Sequence, residues 1–335
     1  MAATDEKTVR WGVLGTAVIA KKIGAAVREA RGTQLAGIAS RSPDRAAAWA
    51  KEHAADRSHE SYEALLDDPD IDCVYIPLPP SLHHEWTIRA AEKGKHVLCE
   101  KPLALESAQA GEMAAACLEH NVQLMDGVMW SHHPRTAAME RFLRDGTLGT
   151  LRRVTSAFTF NWDEVPVDNI RMQKELGGGS LLDLGWYCVG ATLWAFGEKP
   201  KRVSATAREY NGVDLNLSGL LWYDGSRTAS FDCGFDVGMR KWFEIAGTQG
   251  SLVCDDFTLP WHADKARFWL HDAHGHSSER VVPSARQEVL MIEGFSEIVR
   301  TRRLDSAWPR KALETQQVCD ALAKSASSGE AVSVS

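Results

Sequence analysis

No uninterrupted apolar run in this sequence is long enough to cross a bilayer. A helical integral membrane protein is therefore not expected. No stripe of lysine and arginine stands out. The formal net charge is -7, with both signs mixed along the chain, so a nucleic-acid partner is not expected. The sequence has no C-x-x-C pair. Its 7 cysteines are scattered and odd in number, which argues against a disulfide framework or a zinc knuckle and for free thiols in a reducing compartment. The N-terminal stretch MAATDEKTVRWGVLG mixes charges and lacks an apolar core before a cleavage site, so no secretory signal is expected. Internal repeats are absent too. The expectation is a soluble, cytoplasmic protein with no bound metal and no membrane partner.

What remains is ordinary globular material. The 335 residues suffice for two domains, and 44% apolar with 25% charged residues can build a sizeable core. The 12 tryptophans are unusual and are expected in cores or interfaces. Up to about residue 130 the pattern alternates. Strands are expected at 9–15, 34–40, 73–78, 96–99 and 122–129, and helices at 17–30, 43–53, 62–66, 82–93 and 105–120. Strands apolar on both faces, alternating with amphipathic helices, indicate a parallel sheet covered by helices. After residue 150 strands follow one another, at 153–160, 203–208, 215–222, 228–235, 242–246, 251–254 and 267–271. Turn signals such as Asn211-Gly212 and Asp224-Gly225 separate them. This reads as a mostly antiparallel sheet. One helix, 180–196, interrupts it, two more close the chain near 289–302 and 310–324, and the small polar tail 325–335 is expected to fray.

The first strand runs into Gly15-Thr16-Ala17-Val18-Ile19-Ala20, at the position of a dinucleotide-binding G-x-G-x-x-G turn. Only the first glycine is kept. Ala20 at the third position still allows close helix–strand packing. Ala17 at the second limits the approach of a pyrophosphate, and the Thr16 hydroxyl could compensate. The alternative is a plain strand-to-helix turn, but its place at the start of a βαβ unit favours phosphate binding by Gly15, Thr16, Ala17 and Ile19 at the helix N-terminus. An NAD site wants an acid after the second strand; here Ser40-Arg41 stands instead. A hydroxyl and a guanidinium suit a 2′-phosphate, so NADP is favoured over NAD. Asp44, close by in sequence, weighs the other way, and Arg41 could merely cap a solvated loop.

The stretch HVLCEKPLALES, 96–107, ends an apolar strand in an acid, a base and a proline. Ligands of open α/β sheets bind at the carboxyl ends of strands, so Lys101 is placed for chemistry. A free lysine titrates near pH 10.4, and a catalytic one needs burial or nearby positive charge to lower it. Pro102 fixes the exit of the chain. Asp183 and Tyr187 lie four apart in an expected helix, hence on one face. His83 and His84 open another helix, where one could sit beside a nicotinamide or simply serve as helix-start polar residues. His271, His274 and His276 surround an expected hairpin turn without a supporting acid or cysteine pattern, and no zinc is expected there or at Trp130-Ser131-His132-His133.

Together these pieces resemble the Gfo/Idh/MocA oxidoreductase family over nearly the whole chain. The residues that carry the resemblance are the Gly15–Ala20 turn, Pro79-Pro80-Ser81-Leu82-His83, Glu100-Lys101-Pro102 and the run from Gly177-Gly178-Gly179 through Asp183 to Tyr187. The similarity runs closest to the branch of NADP-dependent D-xylose dehydrogenases and dimeric dihydrodiol dehydrogenases. It implies an α/β Rossmann domain, residues 1–128, followed by an α+β domain with an open-faced, mostly antiparallel sheet, residues 129–335, for substrate binding and oligomerisation. It further implies Tyr187 as proton donor or acceptor, Lys101 lowering its pKa and Asp183 orienting the substrate. Pro79, His83, Glu100 and Lys101 join Gly15, Thr16, Ala17, Ile19, Ser40 and Arg41 as cofactor contacts, and His133, Arg171 and Trp162 are substrate candidates. The implied activity is NADP(H)-dependent hydride transfer at a sugar or polyol-like alcohol or ketone. A trans-dihydrodiol dehydrogenase is the alternative enzyme, and a non-catalytic NADP-binding regulator the alternative of another class. A homodimer or homotetramer through the C-terminal sheet is expected, burying Leu217, Leu221 and Phe231 or their opposite-parity neighbours. Trp130 and Ser131 depart from the branch's usual residues, which leaves the particular substrate open.

Overall fold

The computed structural model describes residues 7–262 and 264–335, and these form two compact units. The first comprises the residues up to His132 together with Arg286–Leu313; the second comprises His133–Ala285 and Glu314–Ser335.

The first unit opens with β1 (Val9–Leu14), α1 (Val18–Glu29), β2 (Thr33–Ala39), α2 (Pro43–His53), β3 (Arg57–His59) and α3 (Tyr62–Leu66). It continues with β4 (Cys73–Ile76), α4 (His83–Glu92), β5 (His96–Cys99), α5 (Ser107–Glu119) and β6 (Leu124–Asp126). All six strands are parallel, in the order β3-β2-β1-β4-β5-β6. This is the doubly wound arrangement whose strand order reverses between β1 and β4. Central strands are buried on both faces, and Trp11, Val13, Cys73, Tyr75 and Leu98 join one core. Helix starts follow their sequence signals: Ser42 caps α2 by accepting from the Arg45 N–H at 3.4 Å, with Pro43 in the first turn.

The units differ from the expected division at residue 128 in two respects: the first runs on to His132, and it takes in a later segment. The segment Arg286–Leu313 lies in the first unit. Its helix, Gln287–Thr301, sets Phe295 5.2 Å from the Trp11 ring, and Ser296 accepts from the Trp11 indole N–H at 3.1 Å. A contact across 285 residues of sequence has no local signature.

The second unit begins with α6 (Pro134–Arg144), β7 (Leu151–Asn161), a π-helical turn at Leu181–Gly185 and α7 (Trp186–Phe196). Strands β8 (Arg202–Tyr210), β9 (Val213–Trp222), β10 (Thr228–Gly234), β11 (Asp236–Gly247), β12 (Gly250–Cys254), β13 (Ala266–Asp272) and β14 (Ser277–Val282) follow. After α8, the Gln287–Thr301 helix already described, come α9 (Ala307–Ser328) and β15 (Val332–Ser333). The nine-stranded sheet runs β14-β13-β12-β11-β7-β10-β9-β8-β15. Every pairing is antiparallel except β7 with β10.

One expectation needs correction and a second is narrowed to one of its alternatives. The tail is not frayed: Ser325 is fully buried, and Val332 and Ser333 pair with β8. An edge strand needs only backbone donors and acceptors, so small polar side chains do not preclude it. The second concerns the sheet's faces. Leu217, Leu221 and Phe231 are 1%, 0% and 3% exposed. They share the side where Gly185 of the π-turn approaches Phe231 and where Leu322 of α9 approaches Gly219. Their opposite-parity neighbours Ser218, Leu220, Trp222, Ser230 and Asp232 stand on the other face. The register carries that face through Ala157, Trp242, Val253 and Trp269.

Candidate functional site

The residues singled out in the first unit converge on one edge of its sheet. Gly15 follows β1, Ser40 and Arg41 follow β2, Pro79 follows β4, and Glu100 and Lys101 follow β5. In a parallel sheet these are all carboxyl ends, where ligands bind.

Gly15 has φ +110°, and a Cβ there would come 2.9 Å from the Leu78 side chain. Only glycine serves at this bend. Ala17 is the N-cap of α1 and offers no side-chain bond, so the first N–H groups of that helix are left for an anion. Ile19 packs partly against the core. Thr16 does not stand alone: its hydroxyl accepts from the Arg45 guanidinium at 3.1 Å. Ser40 is 5% exposed and accepts from the Ser42 N–H at 3.4 Å, while Arg41 is exposed. Burial pushes the Tyr62 phenol above its ordinary pKa, against the opposing charges of Arg41 and Arg45, so both guanidinium groups act on one spot. Arg45 was missed in the sequence reading. Its signal was there, one helical turn beyond Arg41. An uncapped helix start, a glycine with no room for Cβ and paired guanidinium groups fit a dinucleotide that carries a 2′-phosphate.

Lys101 is half-buried, and its peptide bond to Pro102 is cis. The strand end below it is fastened twice. Glu100 accepts from the Tyr75 hydroxyl at 2.6 Å through one carboxylate oxygen and from the Lys101 N–H at 3.2 Å through the other. His83 is fully buried, with Nδ1 2.9 Å from the Pro102 carbonyl and Nε2 2.8 Å from the Leu78 carbonyl. Burial lowers its pKa despite those carbonyls, and a neutral ring donates to only one of them. His83 thus ties the β4–α4 connection to the chain just past Lys101. Pro79 opens the short turn before α4, its carbonyl accepting from the Leu82 N–H at 2.9 Å.

In the second unit the glycine run forms the entry to the π-turn. Gly179 has φ +113°, and a Cβ on it would overlap an Asp214 carboxylate oxygen, at 2.1 Å. Asp214 accepts from the Ser180 hydroxyl at 2.6 Å and from the Leu181 N–H at 2.7 Å. It therefore caps the turn from a distant strand, and nothing local in the sequence announces it. Burial pushes its carboxyl above the ordinary range, against those two bonds. Asp214→Ala is expected to lower stability by about 1.5–3 kcal/mol per lost bond to a charged group, measured as a shift in urea midpoint. Asp214→Asn keeps an acceptor and should be milder; equal losses would show that the carboxylate itself is not what holds the turn.

Asp183 accepts from Arg171 Nε at 2.6 Å, so these two candidates are brought together. Asp183 and Tyr187 do not share a regular α-helical face, as their spacing suggested. Asp183 lies in the π-turn and Tyr187 in the first turn of α7. A π-turn winds more residues per turn, so a four-residue step there falls short of the α-helical angle; such bulges are frequent at functional sites. The half-buried Tyr187 ring meets Phe158 edge-on at 5.4 Å. Trp162 packs on Phe160 and Phe235, at 5.1 and 4.6 Å.

Three further histidines have structural surroundings. His133 is 3% exposed and caps α6, its Nδ1 accepting from the Arg135 N–H at 2.9 Å, and burial lowers its pKa to about 4. Arg135 beside it is itself buried against Asp256. His132 stacks on Trp308 at 4.8 Å. His276 pairs with Asp272 at the β13–β14 turn, 3.1 Å away. Among the described residues no group of three or more His, Cys, Asp or Glu is placed to hold a metal ion.

Comparison with known proteins agrees with this geometry. Residues 9–128 match the oxidoreductase family with an NAD-binding Rossmann fold, and residues 136–253 match the GFO/IDH/MocA C-terminal domain. A D-xylose 1-dehydrogenase (NADP(+)) of Haloferax volcanii is 34% identical over 96% of this chain and 98% of that one. A trans-1,2-dihydrobenzene-1,2-diol dehydrogenase of Xenopus laevis is 34% identical over 74% of this chain and 76% of that one. Among solved structures, a 3-ketoreductase from Actinomadura kijaniata in complex with NADP and TDP-benzene superposes with a TM-score of 0.89. It is 30% identical, covering 95% of this chain and 98% of that chain. With both domains matched and a relative of this identity covering almost the whole chain, it belongs to the Gfo/Idh/MocA family of oxidoreductases.

Proposed function

We propose that this chain is an NADP(H)-dependent oxidoreductase that moves a hydride between the nicotinamide and a carbinol or carbonyl carbon of a sugar or polyol-like substrate. The observation that carries the reading is the presentation of Lys101 at the carboxyl edge of the sheet, over a strand end locked by Tyr75, Glu100 and His83. A lysine needed only for solubility requires no such scaffold. Bound along the same edge, NADP(H) supplies or accepts the hydride. Gly15, Thr16 and the start of α1 would hold its pyrophosphate, with Ser40, Arg41 and Arg45 on its 2′-phosphate.

The proton is the protein's task. In the oxidative direction the substrate hydroxyl gives its proton to the Tyr187 oxygen as the C–H bond breaks; in the reductive direction Tyr187 returns it to the new alkoxide. A tyrosine near its usual pKa of about 10 is a poor base at neutral pH, and the Lys101 ammonium is assigned to stabilise its phenolate and the alkoxide. Asp183, held by Arg171, orients a substrate hydroxyl. The relatives named for D-xylose and for a 3-keto sugar support this substrate class.

The test is a screen of aldoses, keto-sugars and cyclic diols with NADP(H) and NAD(H), followed by nicotinamide absorbance. Turnover of sugars is the expected result. Turnover confined to cyclic diols would move the assignment to a dihydrodiol dehydrogenase, and NADPH binding without any turnover would make the chain a regulator.

We also propose that two copies pair through the sheet face opposite α7 and α9. Trp222, Trp242 and Trp269 stand half-buried on it, with Leu220 and Val253 among them. Large apolar side chains gathered on one face are a hallmark of a self-complementary interface. Light scattering at micromolar concentration should report a dimer or a tetramer, and Trp242→Glu should shift it toward monomer; a monomeric parent protein refutes the assignment. No described helix is long and apolar enough to cross a membrane. All seven cysteines are buried free thiols, which supports assignment to the cytoplasm.

A further inference from the structure

Lys241 of β11 is a buried cation without a counter-ion. It is 7% exposed, and among the described residues no carboxylate forms an ion pair with it. Its Nζ donates to the Leu259 carbonyl at 2.6 Å and stands 3.6 Å from the centre of the Trp261 ring. The two acids that act on it are engaged elsewhere. Asp256 holds the Arg135 guanidinium through Oδ1 and accepts from the Trp261 N–H at 2.6 Å through Oδ2. Asp255 lies 4.0 Å from Arg267. Burial lowers the Lys241 pKa against the attraction of Asp256. Buried charges in proteins are normally paired, and an unpaired one is costly to keep. A ligand that brings the missing negative charge removes that cost.

The position of Lys241 says which ligand. In the β11–β7 register it stands opposite Phe158, so the two Cβ atoms lie about 5 Å apart on one side of the sheet. Phe158 in turn meets the Tyr187 ring at 5.4 Å. Lys241 is thus one side chain removed from the group assigned to the proton, within the same unit. Trp261 rims this spot. It keeps 47% of its surface exposed, yet it is pinned by its own N–H to Asp256 and by its indole N–H to the Asp255 carbonyl at 3.2 Å. A rigid, open aromatic surface beside an unpaired ammonium suits a sugar that carries an anionic group. A phosphoryl group recruits several donors, often guanidinium forks. Here the guanidinium groups of Arg135 and Arg171 are already paired with Asp256 and Asp183. A single ammonium matches a carboxylate better.

We infer that Lys241 is a specificity-determining residue that receives a carboxylate of the substrate, so that the preferred substrate is a sugar acid such as a hexuronate, held by that group while its carbinol reacts at Tyr187. This rests on the reading of Tyr187 as the proton-handling residue. The reaction itself is unchanged: the hydride goes to NADP and the hydroxyl proton to the Tyr187 oxygen.

The experiment compares kcat/KM for D-glucuronate and D-galacturonate with that for D-glucose and D-galactose under saturating NADP. Calorimetric binding of glucuronate and of glucose to the NADPH-saturated protein accompanies it. The acids should be preferred by about tenfold or more, the scale of one charge-assisted hydrogen bond. Lys241→Met should erase that preference in turnover and in binding, and Lys241→Arg should keep part of it. Should Lys241→Met fail to fold, Lys241→Gln, which still offers a donor to the Leu259 carbonyl, should lose the preference as well. No preference for the acids in the parent protein, or a preference that survives in Lys241→Met, overturns the assignment. A stronger preference for glucose 6-phosphate than for glucuronate overturns the carboxylate. Glucuronate binding that depends on Lys241 without turnover of any sugar upholds the site and overturns the proposed reaction; turnover of neutral sugars alone does the reverse.

Discussion

Replacing Lys101 by methionine is expected to lower turnover by about 10²–10⁴-fold, the span usual for groups that handle or stabilise a transferring proton. Methionine keeps much of the side chain's length and removes the charge and its donors. The main chain around it should persist. The Lys101 N–H bond to Glu100, the Tyr75 bond to the same carboxylate and the His83 contact with the Pro102 carbonyl involve no part of the Lys101 side chain. NADPH affinity should change far less than turnover, because the phosphates are assigned to the Gly15 turn and to Arg41 and Arg45. Tyr187→Phe should produce a comparable loss. If the two groups act as a unit, the double variant will be much less than multiplicative, since the second removal takes away a function already disabled. Near-normal turnover of Lys101→Met on a substrate found by the screen would leave Glu100-Lys101-Pro102 as a shaped strand end and nothing more. A fully multiplicative double variant would separate Lys101 from Tyr187.

Much of the first unit was legible because its signals are local. Pro43–His53, Tyr62–Leu66 and His96–Cys99 have the bounds that composition suggested. Caps, proline at a helix start and a doubly apolar strand are all written within a few residues. The carboxyl-edge gathering of Gly15, Ser40, Pro79 and Lys101 follows from parallel topology alone. The features that could not be read depend on distance. Asp214 caps a turn that begins 34 residues earlier, and Ser296 meets Trp11 from the far end of the chain. The helix Pro134–Arg144 lay hidden behind a histidine–proline pair that read as pocket material, although His133 is its cap. The π-turn defeated the spacing rule for Asp183 and Tyr187, because a four-residue interval looks the same in sequence whether or not a turn is widened. The sheet faces were ambiguous for a related reason. A strand such as β9 carries Leu217 and Leu221 on one parity and Leu220 and Trp222 on the other, and only the packed helices decide which parity is covered.

Removing both guanidinium groups, Arg41→Ala with Arg45→Ala, is expected to collapse the preference for NADPH over NADH by about 10²–10³-fold. Each charge-assisted bond to a phosphate is worth about 1.5–3 kcal/mol, and two groups that share one phosphate are not additive, so the double loss should fall below the sum of the single ones. Arg41→Ala alone should cost the larger part. It has no structural duty comparable to that of Arg45, which also donates to the Thr16 hydroxyl in the turn after β1. That second bond makes Arg45→Ala diagnostic in its own way: it should weaken NADH binding slightly as well, because the turn that faces the pyrophosphate loses a brace. Arg45→Lys should restore charge without restoring the planar fork, and so recover only part of the NADPH affinity. The measurement is a titration of each variant with NADPH and NADH by fluorescence at two salt concentrations. The NADPH advantage of the parent protein should shrink as salt rises, since the arginines are exposed and screened. Equal affinity of the parent for both cofactors would refute the 2′-phosphate assignment, and so would Arg41→Ala weakening NADH as much as NADPH.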